Sequence, residues 1–467
     1  MSDLRLAAAD EVVERGLAAA KSSRRSGACI VIVSDSYDAD VRFANNTTTT
    51  NGVRRDRSID VVRILDVPGG RAVGVASGSG PIDVATLVAA AEADAAEASP
   101  ADDEAELIGG DAAADFSEPP ISTDLSIYSS LLPDLGDAFA RARASDTMLS
   151  GFATHEAATI YLGSSNGLRR RIADRSGTFE LVARADGGAR SAWAGTGTRD
   201  FADVAVLDLE ARLNERLSWA TRRHDLSAGR YEVILPPDAV ADLVAEIYFA
   251  MGGLDAEDGG TVFSKPGGGT RVGDRLSELP FRLSGDPSAS GLSCPDLLWT
   301  GHSSSDVSVF DNGSQLADTA WIEDGRLDRL QYHRAGAQRS GVPFAPPIDN
   351  LLLDLPGATA SLDELVTRCE RGLLLTCLWY IREVDPATLL LTGLTRDGVY
   401  LVEHGEVVGA VNNFRFNQSP VDLLRDTIEA GVSERALSRE WGEWMERTRM
   451  PSLRVADFNM SSVSPAN

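Results

Sequence analysis

Two periods of apolar residues run along this chain, and each predicts its own kind of element. Leu6, Val12, Val13 and Leu17 recur at helical spacing across residues 2–21, whereas Ala28 to Val33 is a β-branched run that reads as a buried strand. Val41-Arg42-Phe43, Ile59 to Val67 and Arg71 to Ala76 read as further strands, separated by Asn-Gly and Gly-Gly turns. Ile82 to Ala98 is an alanine-rich amphipathic helix. Residues 99–124 are acidic and hold Pro100, Pro119 and Pro120, which predicts an exposed connection outside the core. A helix is expected over Leu135 to Ala144. Strands follow at Phe152 to Leu162, Leu168 to Ala173, Thr178 to Ala185 and Ala189 to Ala194, then a helix from about Phe201 to Thr221 with Leu207, Leu213 and Leu217 on one face.

The pattern changes after Leu226. Gly229 to Leu235 is a short strand stopped by Pro236 and Pro237, and Asp238 is the expected cap of a helix that spans Glu246. Beyond Gly252-Gly253 the chain consists mostly of short strands and glycine-rich turns, including Lys265-Pro266-Gly267-Gly268-Gly269. Trp321 to Leu327 and Leu401 to Val407 each set a residue pair ending in Gly between apolar runs, a hairpin signature. The expected architecture is α+β: an N-terminal mixed α/β domain over 1–226, with an acidic linker near 99–124, followed by a mainly antiparallel β C-terminal domain over 227–467.

Composition narrows the functional classes. The 467 residues exceed one usual hydrophobic core, and shares of 43% hydrophobic and 24% charged residues are those of an ordinary globular protein. A formal net charge of −26 would repel a phosphate backbone, so nucleic-acid binding is not expected. The short basic runs Arg169-Arg170-Arg171 and Arg222-Arg223-His224 read as solvated faces or helix ends. No signal peptide is visible in Met1 to Glu14, and no apolar run reaches the roughly 18–20 residues of a membrane helix, so a cytoplasmic location is expected and no membrane partner. Cys29, Cys294, Cys369 and Cys377 include no Cys-x-x-Cys pair and read as reduced thiols.

Motifs with catalytic potential are few. Gly163-Ser164-Ser165-Asn166-Gly167 satisfies Gly-x-Ser-x-Gly, but Asn166-Gly167 between two strand-like runs favours a hairpin over the strand-to-helix elbow that would expose Ser165 as a nucleophile. His155-Glu156 lacks a second histidine at the spacing of a zinc-binding helix and sits in a strand-like stretch. His224, His302, His333 and His404 are scattered. The two lysines, Lys21 and Lys265, lie in no phosphate loop, and Ser77-Gly78-Ser79-Gly80-Pro81 lacks the third glycine of a dinucleotide fingerprint. No catalytic, cofactor-binding or metal-binding residue is assigned from motifs.

The order of several segments is more informative. These are Val41 to Asn45, Gly74 to Ser77, Tyr161 to Gly167, Gly229 to Leu235, Gly285-Asp286-Pro287, Phe310-Asp311-Asn312-Gly313, Arg339-Ser340-Gly341, Gly372 to Thr376, Val402 to Val407 and Pro451 to Val455. Together they resemble the TldD/PmbA family over nearly the whole chain, in its PmbA (TldE) branch. The resemblance implies a cytoplasmic peptidase system of two related subunits that degrades unfolded peptides and trims modified peptide precursors. In it, a TldD-type subunit binds zinc through His-Glu-x-x-x-His and a later cysteine, and a PmbA-type subunit lacks those ligands yet is needed for activity. Aligned on that motif, Glu246 takes the glutamate position and both histidine positions are alanine, Ala245 and Ala250. Alanine has no lone pair for a metal, and zinc needs about three protein ligands to act as a hydrolytic centre. No cofactor is therefore expected in this chain, with zinc expected in the partner subunit. The expected partners are a TldD-type paralogue and a peptide or unfolded protein, held by β-addition to an edge of the second domain. A stand-alone hydrolase with an atypical metal or serine site, and a non-enzymatic peptide-binding scaffold, are the alternatives.

Overall fold

Long polar stretches between the apolar runs are absorbed into continuous strands of the first half of the chain. The computed structural model describes residues 6–465. The predicted helical stretch at residues 2–21 is realised as α1 (Ala9–Ser22), and its positions 2–5 lie outside the described residues. Six strands follow: β1 (Gly27–Ala44), β2 (Thr47–Val67), β3 (Gly70–Ser79), β4 (Met148–Ser164), β5 (Arg169–Ala185) and β6 (Arg190–Thr198). They form one antiparallel sheet in the order β3-β2-β1-β4-β5-β6.

The two expected strands within β1 are one, because the polar residues between them are satisfied in place. Asp35, fully buried, accepts from Arg57 Nε at 2.6 Å and Nη2 at 2.5 Å. The pieces expected at Leu168 to Ala173 and Thr178 to Ala185 likewise fuse into β5. Asn51-Gly52 is not the turn after β1 but lies inside β2. Asn45 and Asn46 make that turn, both left-handed (φ 50° and 60°), and the Asn46 side chain accepts from Leu149 N and donates to Thr147 O.

Helices α2 (Val84–Glu97), α3 (Leu131–Ala144) and α4 (Val206–Trp219) join α1 on one face of this sheet. Alternate β1 residues meet them: Val31 and Val33 lie under α1 and α2, Val41 and Phe43 under α3 and α4. Gly74 permits the close approach of α2 to β3, since a Cβ there would come within 2.2 Å of Ala91 O. The helix expected from Phe201 starts at Val206, because Phe201 is left-handed (φ 63°) and buries its ring against Tyr128, 4.8 Å between centroids.

The opposite face, with Ile30, Ile32, Ile160 and Leu162, is covered by the acidic segment and by the second half of the chain. Here the structure corrects the sequence reading of 99–124 as an exposed connection. Ala101, Ala105 and Leu107 pack on this face, and Phe116 is buried against Tyr161. Three acids of the segment are engaged: Arg71 reaches Glu104 at 2.8 Å and Glu106 at 2.9 Å, and Ser308 donates to Asp103 at 2.7 Å.

The second half builds one mixed sheet of fourteen strands among the described residues. In chain order these are β7 (Arg223–His224), β8 (Gly229–Leu235), β9 (Arg282–Gly285), β10 (Thr319–Glu323), β11 (Arg326–Leu327), β12 (Leu351–Asp354), β13 (Arg371–Leu375), β14 (Leu378–Asp385), β15 (Leu390–Thr395), β16 (Val399–Glu403), β17 (Glu406–Val411), β18 (Phe414–Gln418), β19 (Thr427–Ala436) and β20 (Thr448–Val463). Most pairings are antiparallel, and β8–β13, β12–β20 and β7–β17 are parallel. The architecture is α+β. Both hairpin signatures are hairpins, turned by left-handed Asp324-Gly325 and His404-Gly405. Helices α5 (Pro237–Phe249), α6 (Gly253–Glu257), α7 (Arg334–Ser340), α8 (Leu362–Thr367) and α9 (Pro420–Asp426) accompany this sheet. No helix among the described residues is long and apolar enough to cross a membrane.

Candidate functional site

Helix α5 begins where Pro236 and Pro237 forbid continuation of β8, with Pro237 in the first turn. Asp238 is not its cap. It lies inside the first turn and accepts from Leu437 N at 3.0 Å. Residues 238–248 are all buried, with Val240, Leu243, Val244 and Ile247 in the main core of the second half of the chain. A polar residue on such a helix needs a partner or a purpose.

Three carboxylates occur at intervals of four, Asp238, Asp242 and Glu246, and so share one face. Facing them is the 437–447 loop between β19 and β20. Asp242 Oδ1 accepts from Ser438 Oγ at 2.6 Å and Glu440 N at 2.9 Å. Glu246 differs. It is only 9% exposed, yet among the described residues no hydrogen bond or ion pair reaches its carboxylate. Burial, reinforced by the nearby Glu383 and Glu440 charges, pushes the Glu246 carboxyl up to about 7 against the weaker pull of Arg382. Burial also raises Asp242 to about 7 despite its hydrogen bonds. Arg382 is held by Glu440, Nη1 to Oε1 at 2.6 Å.

Aromatic residues surround this acidic floor. Phe249 meets Trp441 edge-on at 5.6 Å, and Trp379 meets Tyr380 at 5.4 Å. Trp441 Nε1 is buried without a hydrogen-bond partner. Arg439 lies over both Trp379 and Trp193 of β6, 4.5 and 5.4 Å from their centroids, and donates to Asp397 at 3.0 Å. The seam between the two sheets thus runs beside the site. Phe249, Tyr380 and Trp444 are exposed by 46%, 51% and 78%. Strand β14 pairs only with β15 among the described residues, so its other edge is open beyond Tyr380, whose N–H donates to Glu440 at 2.9 Å.

Ala245 is fully buried and Ala250 caps the helix, its N–H bonded to Glu246 O at 3.2 Å. Five positions apart on a regular helix, they point about 140° away from each other. Among the described residues no three His, Cys, Asp or Glu side chains are grouped to hold a metal ion. The donor set here does not fit a zinc centre of the His-Glu-x-x-x-His type.

The other sequence candidates are dispersed. Ser165 sits in the β4–β5 hairpin and its Oγ accepts from Cys29 N at 3.0 Å. His155 is buried within β4, with Nδ1 2.7 Å from Thr123 Oγ1 and Nε2 3.0 Å from Arg199 O, while Glu156 is its neighbour on that strand. His333 caps α7 by accepting from Gly336 N, His404 pairs with Glu370 at the tip of a hairpin, and His224 lies in β7. His302 N–H donates to Thr300 Oγ1. All four cysteines are free and buried. Sequence reading singled out Glu246 but missed Asp238 and Asp242 as its companions, although three acids at intervals of four on an apolar helix were a usable signal. Glu383, Glu440 and Trp441 join it from distant sequence, with no local sign.

Residues 228–462 match the family model described as the PmbA/TldA metallopeptidase C-terminal domain. No curated protein matches the chain. Among solved structures, a candidate modulator of a DNA gyrase from Thermotoga maritima superposes with a TM-score of 0.76 at 16% identity, over 96% of this chain and 99% of its own. TldE from Thermococcus kodakarensis gives 0.74 at 15% identity, over 97% and 99%. A second candidate gyrase modulator, from Bacteroides thetaiotaomicron, gives 0.71 at 15%, over 97% and 98%. At these identities the likeness is one of fold.

Proposed function

Because this chain belongs to the PmbA/TldD metallopeptidase family, we propose that it is the subunit without metal, pairing with a zinc-binding TldD-type paralogue in the breakdown or trimming of peptides. One observation carries this reading. The helix that the resemblance aligns with the family's zinc-binding motif carries buried Ala245 and helix-capping Ala250, neither of which has an electron pair for zinc. The contribution of this chain is then to hold substrate. The open edge of β14 suits an extended peptide, whose backbone would continue the ladder with little demand on its sequence.

The test is co-expression with a TldD-type paralogue from the same genome, followed by metal analysis and an assay on an unstructured peptide. The two chains are expected to co-purify, with zinc in the paralogue alone and cleavage only by the pair. Stoichiometric zinc in this chain with cleavage by it alone would establish a stand-alone hydrolase instead. Absence of both co-purification and restored cleavage would leave a scaffold.

A further inference from the structure

Beside the open edge of β14, the mostly buried Glu246 keeps its carboxylate at the solvent boundary, with no hydrogen bond or ion pair of its own among the described residues. Glu383 of β14 and Glu440 of the 437–447 loop add negative charge, and the nearby cation Arg382 is held on Glu440. Asp242, one turn back on α5, is already occupied by Ser438 and Glu440 N–H. The same three segments expose Phe249, Tyr380 and Trp444. An acid withdrawn from most of its solvent, with like charges beside it, is unfavourable, and a cation supplied from outside relieves it, the more so where an aromatic ring is at hand.

We propose that this surface receives a lysine or arginine side chain of an extended peptide lying along β14. The ammonium or guanidinium group would sit against Glu246 and Glu383, with its methylene stem along Phe249 and Trp444. Charge decides the class of occupant. A second copy of this chain would bring its own net −26, whereas a basic peptide is drawn in by it. The proposal rests on the reading that the chain holds peptide, and it adds which residue of the peptide is recognised.

The test is fluorescence anisotropy on the full chain with end-blocked, labelled decapeptides that differ only in a central lysine, arginine, norleucine or glutamate. Lysine and arginine peptides are expected to bind about tenfold tighter than the norleucine peptide, and the glutamate peptide weakest. In Glu246→Gln the preference for lysine over norleucine should fall to about threefold or less, and in Trp444→Ala both peptides should weaken by a similar factor. Glu383→Gln, on an exposed strand, is the second probe of charge recognition, with thermal unfolding of each variant as the check on folding. Equal binding of lysine and norleucine peptides overturns the cation site and leaves peptide holding intact. So does a preference unchanged in both glutamine variants. Failure of every peptide to bind overturns peptide holding and the cation site together.

Discussion

Asp35 and Glu246 are both buried carboxylates, one in each sheet region, and the protein treats them oppositely. Asp35 lies in β1 under a two-pronged grip from Arg57, itself almost fully buried. Glu246 lies on α5 with like charges beside it and no hydrogen bond or ion pair among the described residues. The first arrangement joins two neighbouring strands and gives a structural account of its acid. The second has no such account, which is why it points outward to a ligand.

The comparison breaks most visibly at Arg57. Arg57→Ala leaves the buried Asp35 charge with the more distant Arg55 alone, at 4.0 Å, and should cost about 3 kcal/mol in urea unfolding. A loss under about 1 kcal/mol would mean the pair is not the fastening described. Next comes Asp242→Ala, which frees Ser438 and Glu440 N–H from the helix and should cost about 1–3 kcal/mol. It should also raise amide exchange across 437–441, read by mass spectrometry.

Glu246→Gln should do the reverse of Arg57→Ala. The Glu246 carboxyl titrates near 7 when folded, above the 4.5 of an ordinary glutamate, so the folded chain holds the proton more tightly than the unfolded one. Its contribution to stability is full below about 4.5 and is lost as pH rises through about 7. Glu246→Gln is therefore expected to match the parent near pH 4.5 and to exceed it by about 1–2 kcal/mol at pH 8, after allowance for solvent screening. Unfolding curves at the two pH values decide it, and a constant difference between them contradicts the assignment. The smallest effect is expected at Arg71→Ala, whose partners Glu104 and Glu106 are partly or largely exposed. About 1 kcal/mol or less should be lost in the same unfolding assay.

What was legible in the sequence was local. The α+β class, the end of β8 at paired prolines and the His404-Gly405 turn all follow from short-range backbone chemistry. The Asn45-Asn46 turn was obscured by a more familiar Asn51-Gly52, and the choice between them depends on Asn46 reaching Leu149 and Thr147, a hundred residues away. The acidic segment 99–124 was misread because its charges looked solvated, while its partners Arg71 and Ser308 lie in other parts of the chain. Glu246 stood out in the sequence through the alanines around it. The features on which its proposed role rests, Glu383, Glu440 and the exposed aromatics, are assembled only by long-range packing.

The place of β20 in the second sheet has a consequence for how the protein is made. This strand pairs with β8, β12, β18 and β19, so it lies in the middle of the sheet although its residues are 448–463. During synthesis β8 emerges first and must wait, from residue 235 until residue 448, for the neighbour that covers its edge. Pairing of β20 with β8 spans more than two hundred residues of chain, and such non-local pairing is slow to close. Termination before residue 448 therefore leaves that edge of β8 without its partner strand.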